Sequence, residues 1–187
     1  KQDGAISIDV NGVKGTAIGA GKGGQLRIEK GRYDICVNGE NGVAVGSIDS
    51  LVDLKLLQCD MDIQFDAANG VAIGSVNEHA DINIRNTSIA LRGSGRRYVA
   101  VGTLDGDGSR VDICRAHIDM GLKGDSCIGI GSDHGKAETI IEDANTRITV
   151  LGEQCFAIGS RDGRGILSGV NADLSISVKN GINVDVA

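Results

Sequence analysis

Apolar residues recur along this chain at a nearly constant interval, and that interval indicates how the chain is organised. The dipeptide Ile-Gly or Val-Gly occurs six times, with steps of 27, 28, 28, 29 and 28 residues between successive copies. Self-similarity at a fixed period of this length is typical of a repeat protein whose units stack on one another. The six pairs are Ile18-Gly19, Val45-Gly46, Ile73-Gly74, Val101-Gly102, Ile130-Gly131 and Ile158-Gly159.

Each repeat contains three short segments with the two-residue alternation of a β-strand. In the third copy they cover residues 70–75, 81–84 and 88–91, and turns rich in Gly, Asn, Asp and Ser separate them. No segment carries a competing helical period. The pattern predicts an all-β fold, a parallel β-solenoid of about six to seven coils with ~28 residues and three short strands per coil. The crossover rule for parallel strands predicts a right-handed β-helix.

One interior column can be read directly from the spacing. An apolar residue stands ten positions before each Ile/Val-Gly pair, and the same offset joins Ile176 to Val186, which predicts a partial last coil. Six steps of about 4.8 Å give a prism roughly 30 Å long. We expect a single domain over residues 1–187, and repeat-like sequence at both ends predicts a piece of a longer protein. The column is Ile8, Ile35, Ile63, Leu91, Met120 and Ile148.

Strict alternation predicts that one face of the prism is almost bare. If Val or Ile of each pair points inward, its Gly and Ala neighbours point outward. Glycine in a strand marks close approach by another backbone or a ligand, so we expect a docking face for a second copy, another segment of the parent protein or a flat ligand. The alternative is relief of crowding where the coil bends. The face comprises Gly42, Ala44, Gly46, Gly70, Ala72, Gly74, Ala100, Gly102, Gly129 and Ala157.

Acidic residues in the turns suggest a cation site. Asp105 and Asp107 stand in an Asp-Gly alternation, and Asp133 lies in the matching turn of the next repeat. Calcium takes six to eight oxygen ligands, so these three residues are the best calcium candidates. The alternative is ordinary turn chemistry, since Asp bonds its own backbone and tolerates tight turns.

Arginines concentrate beside one of the two tyrosines. Arg92, Arg96 and Arg97 flank the turn that leads to Tyr98. Guanidinium groups beside an aromatic ring suggest an anion or acidic-sugar site, with Tyr98 as a stacking surface. A solvated turn is the alternative.

Five cysteines leave at least one thiol outside any intramolecular pair. Cys127 and Cys155 hold the same place in successive repeats, which brings them within disulfide range. Flat stacking points both side chains the same way, so we expect free thiols.

Charge and hydropathy exclude two partner classes. A net charge of −6 disfavours nucleic acid, which requires a basic surface. No apolar run approaches the 18 residues or so of a membrane span.

The sequence Gly70–Ser75 followed by Ile82–Ile84 resembles the Gly-Ile-Gly repeats of bacterial surface proteins, which look like parallel β-helices. The resemblance implies a noncatalytic binding or scaffold module, adhesive or carbohydrate-binding, and favours an extracellular or cell-surface setting over a cytoplasmic one. One alternative is a polysaccharide lyase or glycoside hydrolase, for which Asp112, Asp119 and Arg115 are candidates that Asp60, Asp62 and other turn acids match equally well. The other is an intracellular regulatory or sensory module, which free thiols would suit.

Overall fold

The computed structural model describes residues 5–180, and within that range the chain forms strands and turns with no helix. No helix capable of crossing a membrane occurs there. All pairings are parallel, so the chain is a β-solenoid of about six turns spaced ~28 residues apart, as predicted. The strands are β1 Ala5–Gly19, β2 Gln25–Ile48, β3 Val52–Val76, β4 Ala80–Arg85, β5 Ser88–Leu104, β6 Gly108–Cys114, β7 His117–Glu142, β8 Asn145–Leu151, β9 Phe156–Val170 and β10 Asp173–Lys179.

Strand register follows the sequence period. Each Val or Ile of a Val-Gly or Ile-Gly pair faces its counterpart in the next coil, from Ile18 opposite Val45 through to Ile130 opposite Ile158. The column predicted from Ile8 to Ile148 is also in register, and it continues to Ile176. Val186 lies outside the described residues.

Six of the strands are longer than the short segments predicted for each coil and have 15 to 26 residues, whereas β4, β6, β8 and β10 have six or seven. β3 runs through a whole coil, because its corner at Gln58 is a single residue in the left-handed conformation, with φ of 55°. At Gln58 the strand continues through the corner, whereas at Asn86, Arg115, Asp143 and Asn171 the corner separates two strands. The same corner recurs in every coil and has φ between 49° and 55° at Lys30, Gln58, Asn86, Arg115, Asp143 and Asn171.

The predicted Gly/Ala docking face is wrong, because all ten of its residues are buried. Ala72 and Ala100 have no exposed surface and belong to the main core, whereas Val71 belongs to a second, smaller core cluster. The ladder pairs Val71 and Ile73 with their neighbours but leaves out Ala72. This interruption, repeated at Ala44, Ala100 and Gly129, breaks the two-residue alternation on which the prediction rested. The interrupted positions place Ala44, Ala72, Ala100 and Ala157 in the core.

The glycine column has an internal reason. Gly74 has φ of 140°, and a Cβ there would lie 1.8 Å from the carbonyl oxygen of Gly102 in the next coil. Gly46 and Gly102 make the same approach to the coils above them. The close backbone contact predicted for these glycines therefore exists, but the partner is the adjacent coil of the same chain.

Hydroxyl groups close the corner that follows four of these glycines, through Ser47, Ser75, Thr103 and Ser160. Ser75 Oγ donates to the carbonyl oxygen of Ser50 at 2.9 Å, and Thr103 Oγ1 does the same to Gly108 at 3.0 Å. Asp49, Asn77 and Asp105 then adopt left-handed conformations with φ of 58°, 71° and 59°. These Ser, Thr, Asp and Asn residues thus shape turns, the role that the turn-rich composition of these segments suggests.

Candidate functional site

The first candidate site is a charged cluster at the corner between β5 and β6 and at the equivalent corners of the following coils. Its centre is Asp133, whose side chain is only 2% exposed. Arg97 binds Asp133 Oδ2 and Arg161 binds Asp133 Oδ1. Arg97 also chelates Asp105 through Nη1, at 3.0 Å, and through Nη2. One residue of the predicted arginine site, Arg97, therefore forms an ion-pair network with two of the three predicted acidic residues, Asp105 and Asp133.

Arg97 and Asp105 stand next to residues of the second core cluster. Arg97 comes two residues before Val99, and Asp105 comes directly after Leu104. Val99 and Leu104 belong to the second core cluster, so the Arg97–Asp105 pair connects two chain positions that flank apolar residues of that cluster. Partial burial lowers the pKa of Arg97, but hydrogen bonds to Asp105 and Asp133 outweigh it and the net shift is upward.

His134 completes the network on its exposed side. Its Nε2 lies 3.5 Å from Asp133 and 3.7 Å from Asp105, and its Nδ1 lies 3.5 Å from Asp162. One ligand atom each from Asp105, Asp133 and His134 falls within 4.8 Å of the others, which is the only grouping in the described residues with metal-like spacing. Asp107 stands outside this group. Because both Asp133 oxygens already bind guanidinium groups, a cation there would have to displace an arginine.

The predicted arginine and tyrosine site does not assemble as expected. Tyr98 is fully buried, so it offers no stacking surface. Its hydroxyl donates to the Gly93 carbonyl at 2.9 Å, and its ring packs against Phe65 with centroids 6.0 Å apart. Arg92 pairs with Asp119 at 2.8 Å, and Arg96 is exposed. Tyr98 lies two positions before Ala100 and faces the main core with it. The sequence alone could not distinguish this buried ring from a surface ring.

The residues offered for a catalytic alternative are also separated. Asp112 lies on β6 before the Arg115 corner, and Asp119 lies on β7 after it. Asp112 pairs with Arg110 at 3.3 Å, while Asp119 pairs with Arg92. These three residues therefore do not converge on one face.

The second candidate site is a shallow trough along the left-handed corner column, with a volume of about 520 Å³. Its floor is a register column, in which each residue lies opposite the next across neighbouring coils. Four coils at about 4.8 Å spacing give the column a length of roughly 14 Å. Arg115 and Asp143 stand at the corner beside it. The column consists of Asp60, Ser88, His117 and Asn145.

Sequence reasoning missed this trough and the contribution of Arg161 to the charged cluster. The signal was available for the trough, because its four residues recur with the same period of 28 or 29 that defines the coils. It was not available for Arg161, whose approach to Asp133 depends on side-chain packing between coils. Comparisons of the chain with protein-family models, with curated proteins and with solved structures find no match.

Proposed function

We propose that this chain is a noncatalytic binding and scaffold module whose ligand is an extended, neutral carbohydrate lying along the trough of Asp60, Ser88, His117 and Asn145. The observation that carries the proposal is this straight polar column, which runs across four coils on an open surface. A linear polymer matches a column with regular spacing better than a compact ligand does.

The chemistry of the trough supports a hydroxyl-rich ligand. It offers carboxylate, hydroxyl, imidazole and amide groups, which can accept and donate hydrogen bonds to hydroxyls. Its two carboxylates, Asp60 and Asp143, and one guanidinium, Arg115, sum to a charge of −1. That weak charge favours a neutral polysaccharide over an acidic one. The open shape and the absence of aromatic rings among the trough residues predict modest affinity.

The scaffold part of the proposal rests on the regularity of the coils. Register steps stay between 27 and 29 residues, and the extra residue of the longest step is absorbed in the short turn between Leu104 and Ser109. Most charged side chains of the first candidate site are satisfied by one another. Such a site stabilises a rigid surface and leaves little free charge for chemistry.

The test is a binding screen of the chain against neutral, acidic and amino polysaccharides, followed by calorimetry on the best ligand. The double variant Asp60→Ala/His117→Ala should weaken binding about tenfold or more, a loss of about 1.4 kcal/mol. The control is His79→Ala/Asp81→Ala, which removes the same two residue types from another edge, where they pair with each other at 3.4 Å. Binding to no polysaccharide, or equal loss in both variants, would refute the trough. Cleavage of the bound polymer would refute a noncatalytic role.

A further inference from the structure

We infer that Cys127 and Cys155 form an oxidisable dithiol, a modification site at which peroxide converts two thiols into a disulfide that links adjacent coils. This inference is independent of the proposed carbohydrate function. It rests on the position of the two sulfurs, their distance, and the groups around them.

The two cysteines occupy one interior column, directly after Tyr98. Cys127 lies opposite Tyr98, and its backbone N–H donates to Cys155 Sγ at 3.1 Å. The two Sγ atoms are 2.7 Å apart, so nothing lies between them. A disulfide bond of about 2.04 Å needs only about 0.7 Å of further approach. Cys127 and Cys155 directly precede Ile128 and Phe156, which lie opposite each other on neighbouring strands. The strand spacing of about 4.8 Å lies within the Cα separation of about 4.4–6.8 Å that disulfides span.

The other three cysteines have no such partner. All five cysteines lie in the described residues, and all five thiols are free. Cys59 contacts the hydroxyl of Thr87 at 3.8 Å, and Cys36 accepts a hydrogen bond from Asn38 at 3.4 Å. Cys114 occupies a further column on β6. Oxidation within one molecule is therefore specific to the Cys127–Cys155 pair.

The hydrogen bonds around the pair distinguish the two thiols. The Cys127 thiol donates to Cys155 Sγ and lowers the pKa of Cys155, against the opposing effect of burial. The same hydrogen bond, with burial, raises the pKa of Cys127. Arg161 adds a positive charge that favours both thiolates. Cys155 is therefore the thiol that ionises first and Cys127 the one that keeps its proton.

The reaction balances in two steps. The Cys155 thiolate attacks one oxygen of hydrogen peroxide, which breaks the O–O bond and gives a sulfenic acid with release of hydroxide. The Cys127 sulfur then attacks the Cys155 sulfur, forms the S–S bond and expels the sulfenic oxygen, which leaves as water with the thiol proton. Overall, two thiols are oxidised and one peroxide is reduced to two waters.

The oxidant reaches the pair through one short turn. Both sulfurs are buried, but Glu153 and Gln154, which immediately precede Cys155, are exposed. Cys155 Sγ lies 3.2 Å from the carbonyl oxygen of Glu153, so the sulfur is directly beneath this turn. Opening of residues 151–154 would expose it without unfolding the coils below.

The disulfide would close a loop between residues 127 and 155 and restrict the unfolded chain. We therefore expect oxidation to raise the melting temperature. The effect should be absent from Cys127→Ser and from Cys155→Ser, each of which removes one of the two sulfurs.

The experiment treats the folded chain with hydrogen peroxide, quenches it, denatures it and alkylates the remaining thiols. The reduced protein should take up five alkyl groups and the oxidised protein three, with a mass loss of two hydrogens. Tryptic digestion should then join peptide 124–136 to peptide 148–161, each of which contains one cysteine. The control Cys59→Ser should still give this cross-linked pair.

Two outcomes would overturn the inference. One is retention of five alkylatable thiols after peroxide treatment that oxidises a free thiol in solution. The other is oxidation of Cys127 or Cys155 to sulfinic acid with no cross-linked peptide. The mass measurement on the wild-type protein tests the disulfide without any variant. The test therefore remains valid even if a serine variant fails to fold.

Discussion

Replacing Gly74 with alanine tests the central packing claim, that the glycine column exists because adjacent coils approach through their backbones. The new Cβ would lie 1.8 Å from the Gly102 carbonyl oxygen and 2.8 Å from its carbon. Contacts under 3.0 Å essentially never occur, so the two coils would have to separate locally by about 1.2 Å. The φ of 140° at Gly74 is also a conformation that residues with a side chain rarely adopt.

The cost can be worked out from these two effects. Holding alanine in a glycine-only conformation costs about 1–3 kcal/mol. Weakening one ladder hydrogen bond to each neighbouring coil costs about 1 kcal/mol apiece. Alanine also lowers the conformational entropy of the unfolded chain, which offsets about 0.5–1 kcal/mol of this destabilisation. The net destabilisation is about 2–4 kcal/mol, which for a chain of this size lowers the melting temperature by about 5–15 °C.

The assay is urea and thermal unfolding followed by far-ultraviolet circular dichroism. The matched control is Gly21→Ala, because a Cβ at Gly21 meets nothing within 4 Å. That variant should stay within about 0.5 kcal/mol of the parent. If Gly74→Ala costs no more than Gly21→Ala, the coils do not approach through this column and the packing argument is wrong.

Four further outcomes follow from the same structure. Ala100→Arg should unfold the chain, because Ala100 has no exposed surface, whereas Ala90→Arg on the outer side of β5 should fold; a folded Ala100→Arg would restore an outward Gly/Ala face. Burial raises the pKa of the Tyr98 phenol, so the neutral phenol stabilises the fold below pH ~10 and this contribution is lost at higher pH. The free energy of unfolding should therefore fall less at alkaline pH in Tyr98→Phe than in the parent protein. Asp133→Ala should cost about 3–5 kcal/mol in urea unfolding by leaving Arg161 unpaired, and Asp107→Ala should cost little. Excess chelator should leave the melting temperature unchanged, because guanidinium groups occupy both Asp133 oxygens; a large drop would identify a calcium site.

The sequence alone determined the coil, the register and the interior column. Each Ile, Leu or Met from Ile8 to Ile148 lies opposite its own counterpart, because stacking identical coils at one period puts like residues at like heights. A sequence period specifies which residues lie opposite each other in adjacent coils. The steps of 27 to 29 residues in the sequence are therefore the register steps of the parallel ladder.

Only the tertiary structure decided which way the side chains of the Val-Ala-Ile segment face. Alternation assumes an unbroken strand, and the ladder is interrupted at Ala72 and its equivalents, so Ala72 and Ile73 both enter the main core while Val71 enters the second cluster. The same holds for the charges. Arg97 and Asp133 are 36 residues apart in the chain and meet only because two coils stack. Asp133 is buried, so its charge is compensated by the guanidinium groups that bind it and not by water. A one-dimensional period specifies neighbours between coils, but the local bend of the backbone decides which of them are inside.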